Sequence, residues 1–97
     1  MGAVFITKTF NTTSCLEVEK SFETFVKNCK RMYGNNPYNG SFSTMSGLRN
    51  SSKVFSDRIE AERYIEDNTE KWGCALAVEV REENKKPYTL IGGWAAE

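Results

Sequence analysis

Hydrophobic and polar positions change period within the first third of the chain. From Ala3 to Phe10 the pattern alternates, with Val4, Ile6 and Phe10 on one side and Phe5, Thr7 and Thr9 on the other. β-Branched and aromatic residues fill the stretch, so it predicts a strand. Asn11-Thr12-Thr13-Ser14 then breaks the alternation. Ser14 followed three positions later by Glu17 has the form of a capping box, which satisfies two backbone donors at a helix start. Beyond it Val18, Phe22, Phe25, Val26, Cys29 and Met32 recur at helical spacing and predict one apolar stripe along about five turns. Lys27, Lys30 and Arg31 crowd the last turns, where positive charge offsets the negative end of the helix dipole. Gly34 suits the left-handed position that ends such a helix.

Ser41 to Leu48 reads as a second strand, ended by Gly47 and the Asn50-Ser51-Ser52 cluster, with Lys53-Val54-Phe55 as a short extension. Ser56 or Asp57 caps a second helix. Ala61, Tyr64, Ile65, Asn68 and Trp72 share one side of it, Glu60, Glu62, Glu66, Asp67 and Glu70 make it acidic, and Gly73 closes it. Cys74 to Arg81 alternates again, and the small Ala75 and Ala77 suggest that a helix packs close to their face. A polar turn from Glu82 to Pro87 leads into a strand over Tyr88 to Ala95, in which Gly92-Gly93 marks a bulge or a close backbone approach. The order is β-α-β-(β)-α-β-β, without repeat or linker. It predicts a single α+β domain over residues 1–97: a two-layer sandwich with both helices on one face of a small, mostly antiparallel sheet.

Composition narrows the function classes. Thirteen basic side chains balance thirteen acidic ones, so no net field draws the chain to nucleic acid or to an acidic membrane. The balance hides an asymmetry. Residues 1–55 hold seven bases against three acids, and residues 56–97 hold six against ten, so either the halves attract each other or the fold has one basic and one acidic face. Cys15, Cys29 and Cys74 have no paired spacing, and no leader pattern or membrane-length apolar run is present. Inert thiols and a cytoplasmic location are expected.

The chain contains no histidine. That removes Ser-His-Asp and Cys-His machinery and most zinc, copper and non-haem iron sites. Neither phosphate-binding glycine motif occurs. Cys29 has Lys30 beside it but falls on the apolar stripe, where packing is the ordinary role of a thiol. No catalytic residue, metal or cofactor is expected.

What remains is the run Tyr33-Gly34-Asn35-Asn36-Pro37-Tyr38-Asn39-Gly40. In one reading it is a set of turn residues with two rings lying over the core edge. In the other it is a grip. Tyr33 and Tyr38 offer flat faces, Asn35, Asn36 and Asn39 offer amides, Ser41, Ser43 and Thr44 extend the polar lining, and Arg31 and Arg49 add charge. Such a set suits a base-and-phosphate ligand or a compact protein-binding patch. Lys71-Trp72-Gly73 and Gly92-Gly93-Trp94 are further candidates, although a tryptophan after a helix or strand ordinarily closes a core, and Trp94 is placed to anchor the last strand.

A strand and an amphipathic helix, then Tyr33, Gly34, Pro37, Tyr38, Asn39, Gly40, Ser41, Ser43 and Thr44, then Lys71-Trp72-Gly73 and Gly93-Trp94-Ala95, resemble a family of short proteins encoded by bacteriophages and integrative elements. The likeness covers about nine-tenths of the chain. The family pattern usually has His where Asn35 stands. The resemblance implies a mobile-element origin and a cytoplasmic role, and it brings no catalytic residues and no activity. Small phage proteins without catalytic machinery are often inhibitors of host defences, an association rather than a derivation. The expectation is therefore a non-catalytic, anti-CRISPR-like inhibitor that binds a host defence protein. The alternative is a sponge that sequesters a nucleotide-like small molecule through the Tyr33–Gly40 loop, in a pocket shared between two copies of a homodimer.

Overall fold

The computed structural model describes residues 2–33, 42–45, 47–70 and 72–96, and for Tyr33, Ser43 and Ser52 the backbone alone. β1 spans Ala3–Phe10 and α1 spans Cys15–Tyr33, as the two periodicities predict. At the start of α1 the Val18 N–H donates to the Ser14 carbonyl at 2.9 Å and the Glu17 N–H reaches Ser14 Oγ at 3.5 Å. The other half of the capping box is rerouted. Ser14 N–H donates to Thr12 Oγ1 at 3.2 Å, and the Thr12 hydroxyl donates to the Glu17 carboxylate at 2.7 Å.

A 3-10 turn, Phe42–Thr44, precedes β2, Leu48–Phe55. The second strand thus begins where the expected one, Ser41 to Leu48, was to end, and Asn50-Ser51-Ser52 lies inside it. Among the described residues β2 is an edge strand bonded only to β3, and a register shift between Asn50 and Val54 absorbs the surplus residues. α2, Arg58–Asp67, opens on Asp57, whose carboxylate accepts from the Ile59 N–H at 3.0 Å. It closes well before Gly73. Asn68 Nδ2 donates to the Tyr64 carbonyl at 2.8 Å and the Thr69 hydroxyl to the Ile65 carbonyl at 2.7 Å, which satisfies orphan acceptors of the last turn. β3, Ala75–Val80, and β4, Tyr88–Ala96, complete the fold.

The strand order is β1-β4-β3-β2. β4 runs antiparallel to both neighbours, whereas β2 and β3 are parallel with α2 as their crossover. The fold is a small α+β domain on a mostly antiparallel sheet, as expected. The layering differs. Ala75, Ala77, Ile91 and Ala95 pack with Val18, Phe22, Phe42 and Met45 on the side of α1, while Leu76, Val78, Val80 and Leu90 pack with Ala61 and Ile65 of α2. Successive side chains of a strand point to opposite faces. The helices therefore cover opposite faces, and the two-layer expectation is corrected to three layers. The cause is in β3 and β4 themselves: both faces are apolar, and each needs its own cover.

Ala75 and Ala77 lie on the α1 side, but the large side chains of Val18, Phe22, Phe42 and Met45 fill the space over them, and the helix whose backbone comes close to β3 and β4 is α2 on the other face. Gly92 and Gly93 mark close approaches on both faces rather than a bulge, since the β1–β4 ladder runs through them without a register shift. A Cβ on Gly92 would stand 3.0 Å from Ile65 Cγ2, and one on Gly93 would stand 2.9 Å from Met45 Sδ. Along α1, Val18, Phe22 and Cys29 are buried, but Met32 is 75% exposed, so the core stops one turn short of the helix end. The described ion pairs Arg58–Glu62, Arg81–Glu79 and Lys85–Glu82 join near neighbours in the second half of the chain.

Candidate binding face

The topology brings several chain segments to one end of the sheet. β1 begins and β4 ends there, paired through Ala3 and Ala96. β2 and β3 both begin there, paired through Leu48 and Ala75, and the Ala75 N–H donates to the Gly47 carbonyl at 2.8 Å. Lys30, near the end of α1, lines a groove with Gly47 and Leu48, and the end of α2 lies over Arg49. Among the described residues, Thr44 is tied to Ala96 at this end, and β4 finishes here through Gly93, Trp94 and Ala95.

The candidate residues divide as follows. Asn35, Asn36, Tyr38, Asn39 and Ser41 lie outside the described residues, and Tyr33 and Ser43 are placed by backbone alone, at the last residue of α1 and in the 3-10 turn. Arg31 is exposed in the last turn of α1. Thr44 Oγ1 accepts from the Ala96 N–H at 3.0 Å, which ties the 3-10 turn to the end of β4. Arg49 Nη2 donates to the Asn68 carbonyl at 3.0 Å. It caps α2 on the face opposite α1, so Arg49 and Arg31 are separated by the sheet.

On the α1 side a groove of about 480 Å³ runs beside the start of β2. Phe22, Val26, Met45 and Leu48 form its apolar floor, and Glu19, Glu23, Lys27 and Lys30 form its rim. The floor is held firmly: the Phe42 ring sits 5.8 Å from both Phe22 and Phe25 in edge-on contacts. The rim carries two charges of each sign.

The two tryptophans part company. Trp94 Nε1 donates to the Glu66 carbonyl at 3.3 Å and its ring lies 5.4 Å from Phe5, so it anchors the last strand as expected. Trp72 lies beyond α2, not on its stripe. Its φ is 70°, a left-handed conformation costly for a bulky side chain, and it is 48% exposed. The Gly73 N–H donates to the Glu70 carbonyl at 3.0 Å, and a Cβ on Gly73 would lie 3.1 Å from that oxygen, so a tight turn holds Trp72 at its tip. The glycine directly after Trp72 was the sequence signal for this turn.

At the opposite end of the sheet the Tyr88 hydroxyl donates to Glu82 Oε1 at 2.9 Å. Burial, followed by that carboxylate, raises the Tyr88 pKa above its ordinary value. Cys29 is buried and Cys15 and Cys74 are exposed, with no disulfide among them. Among the described residues no group of three His, Cys, Asp or Glu side chains is placed to hold a metal ion, and no helix is long and apolar enough to cross a membrane. Comparisons with protein-family models, with curated proteins and with solved structures each find no match.

Proposed function

We propose that the protein is a non-catalytic binding protein of phage or mobile-element origin that inhibits a host defence protein in the host cytoplasm. The observation that carries the binding role is Trp72, a large ring about half exposed on a strained backbone conformation beyond the end of α2. Exposed aromatic anchors are the residues around which protein interfaces concentrate their energy. The origin and the defence target rest on the motif resemblance alone. The nucleotide-sponge reading has less support, because Glu19 and Glu23 on the groove rim offset Lys27 and Lys30 and leave little field for an anion.

Co-purification of the tagged protein from host cells, with mass spectrometry of bound proteins and bound small molecules, tests the proposal. A stoichiometric protein partner is expected, lost in Trp72→Ala and Tyr38→Ala while the melting temperature stays within a few degrees. A thermal-shift series with cyclic and linear nucleotides is expected to be silent. A ligand at a hundredfold excess over its Kd adds about 2.7 kcal/mol of stability, and such a shift would replace the inhibitor reading with the sponge.

A further inference from the structure

Among the described residues the sheet has two edges, β1 and β2, and they are unlike. β2 carries the devices that discourage strand addition: a register shift between Asn50 and Val54, and the polar series Arg49, Asn50, Ser51, Ser52 and Lys53. β1 carries almost none. It is eight residues long, pairs with β4 in unbroken register from Ala3↔Ala96 to Phe10↔Thr89, and its one charge is Lys8. That ammonium is drawn over the Phe25 ring at 4.7 Å rather than standing guard at the strand's flank. Val4, Phe5, Ile6 and Phe10 are only half-buried, although the neighbouring β4 is almost wholly buried.

We infer that β1 is a dimerisation edge, and that its occupant is β1 of a second copy of this chain, paired antiparallel about a two-fold axis normal to the sheet. The axis joins the two four-stranded sheets into one of eight strands and keeps each apolar face continuous with its counterpart, which restricts the register to pairs of equal parity. Centring on Lys8 would set like charges opposite each other. Centring on Ile6 or on Thr7 gives the same overlap of seven residues, but Thr7 would bring the two lysines within two residues, about 7 Å, of each other. The register therefore centres on Ile6, with Ile6 against its own copy, Phe5 against Thr7, Val4 against Lys8 and Ala3 against Thr9. The two lysines are then four residues out of register, about 13 Å apart along the strands. Two copies of a chain with equal numbers of acids and bases also carry no net repulsion. The inference does not depend on the proposed inhibitor role, because dimerisation is measured on the purified protein alone.

Sedimentation velocity over a concentration series should show a reversible dimer. Ala3 and Thr9 are both exposed, so cysteines there report the register without disturbing the core. In a Cys15→Ser, Cys74→Ser background, chains carrying Ala3→Cys are mixed with chains carrying Thr9→Cys and oxidised. Opposite residues of an antiparallel pair lie within disulfide reach, so a cross-linked dimer should form in the mixture and not from either chain alone. Circular dichroism confirms that each variant is folded. A monomer at every concentration overturns the inference, and so does a dimer that gives no mixed cross-link.

Discussion

Gly92 is hemmed in by α2 on one face and by β1 alongside, and replacing it by alanine tests the three-layer packing directly. The added methyl would meet Ile65 Cγ2 at 3.0 Å, the Ile6 carbonyl oxygen at 3.2 Å and Thr7 Cγ2 at 3.2 Å. None of these can withdraw cheaply. Ile65 is fully buried under α2, and the Ile6 oxygen belongs to the β1 backbone, held in register against β4. Overpacking of this kind costs about 1–3 kcal/mol, and the stiffer unfolded chain returns about 0.4–1 kcal/mol. The net loss should be about 1–2 kcal/mol. At a urea slope of about 1.5 kcal/mol/M, the unfolding midpoint should fall by about 0.7–1.3 M. Gly93→Ala is the control. Its methyl meets mainly Met45, at 2.9 Å from Sδ and 3.1 Å from Cε, and an unbranched thioether can shift. It should cost less. If Gly92→Ala is as stable as the parent, or less harmful than Gly93→Ala, α2 does not press on β4 as described.

Three further outcomes are expected. Phe22→Ala, which empties a buried site against Phe42, should lower stability by about 3–5 kcal/mol in the same urea assay. Thr89→Val removes the hydroxyl that donates to the Thr12 carbonyl at 2.6 Å, and it should cost about 1–3 kcal/mol through the acceptor left unpaired, read as a lower melting temperature. Because the Tyr88 pKa is raised in the folded state, the native protein holds that proton more tightly than the unfolded chain does. The corresponding stability is present below the unfolded tyrosine pKa of about 10 and is lost as pH rises through the folded value. Tyr88→Phe should therefore flatten the fall in melting temperature on the alkaline side.

Nearest-neighbour chemistry alone determined a good deal of this protein. Both bounds of β1, the start of α1 at Ser14, the Asp57 cap of α2 and the alternation of β3 are local in origin, because caps and periodicities act over a few residues. The doubly apolar β3 even held a sign of the third layer, since Ala75 and Ala77 as well as Leu76 and Val78 need cover. Only the tertiary structure decided the rest. Asn50-Ser51-Ser52 looks like a terminator until β3 pairs with Asn50 at its start and, past an irregularity, with Val54 and Phe55 after it. Arg49 looks like part of a binding loop until α2 presents the Asn68 carbonyl. Trp72 looks like one more residue of a helical stripe until Asn68 and Thr69 end that helix before it. In each case the deciding partner lies on another element or past a helix end, and long-range pairing overrides what a short window of residues prefers.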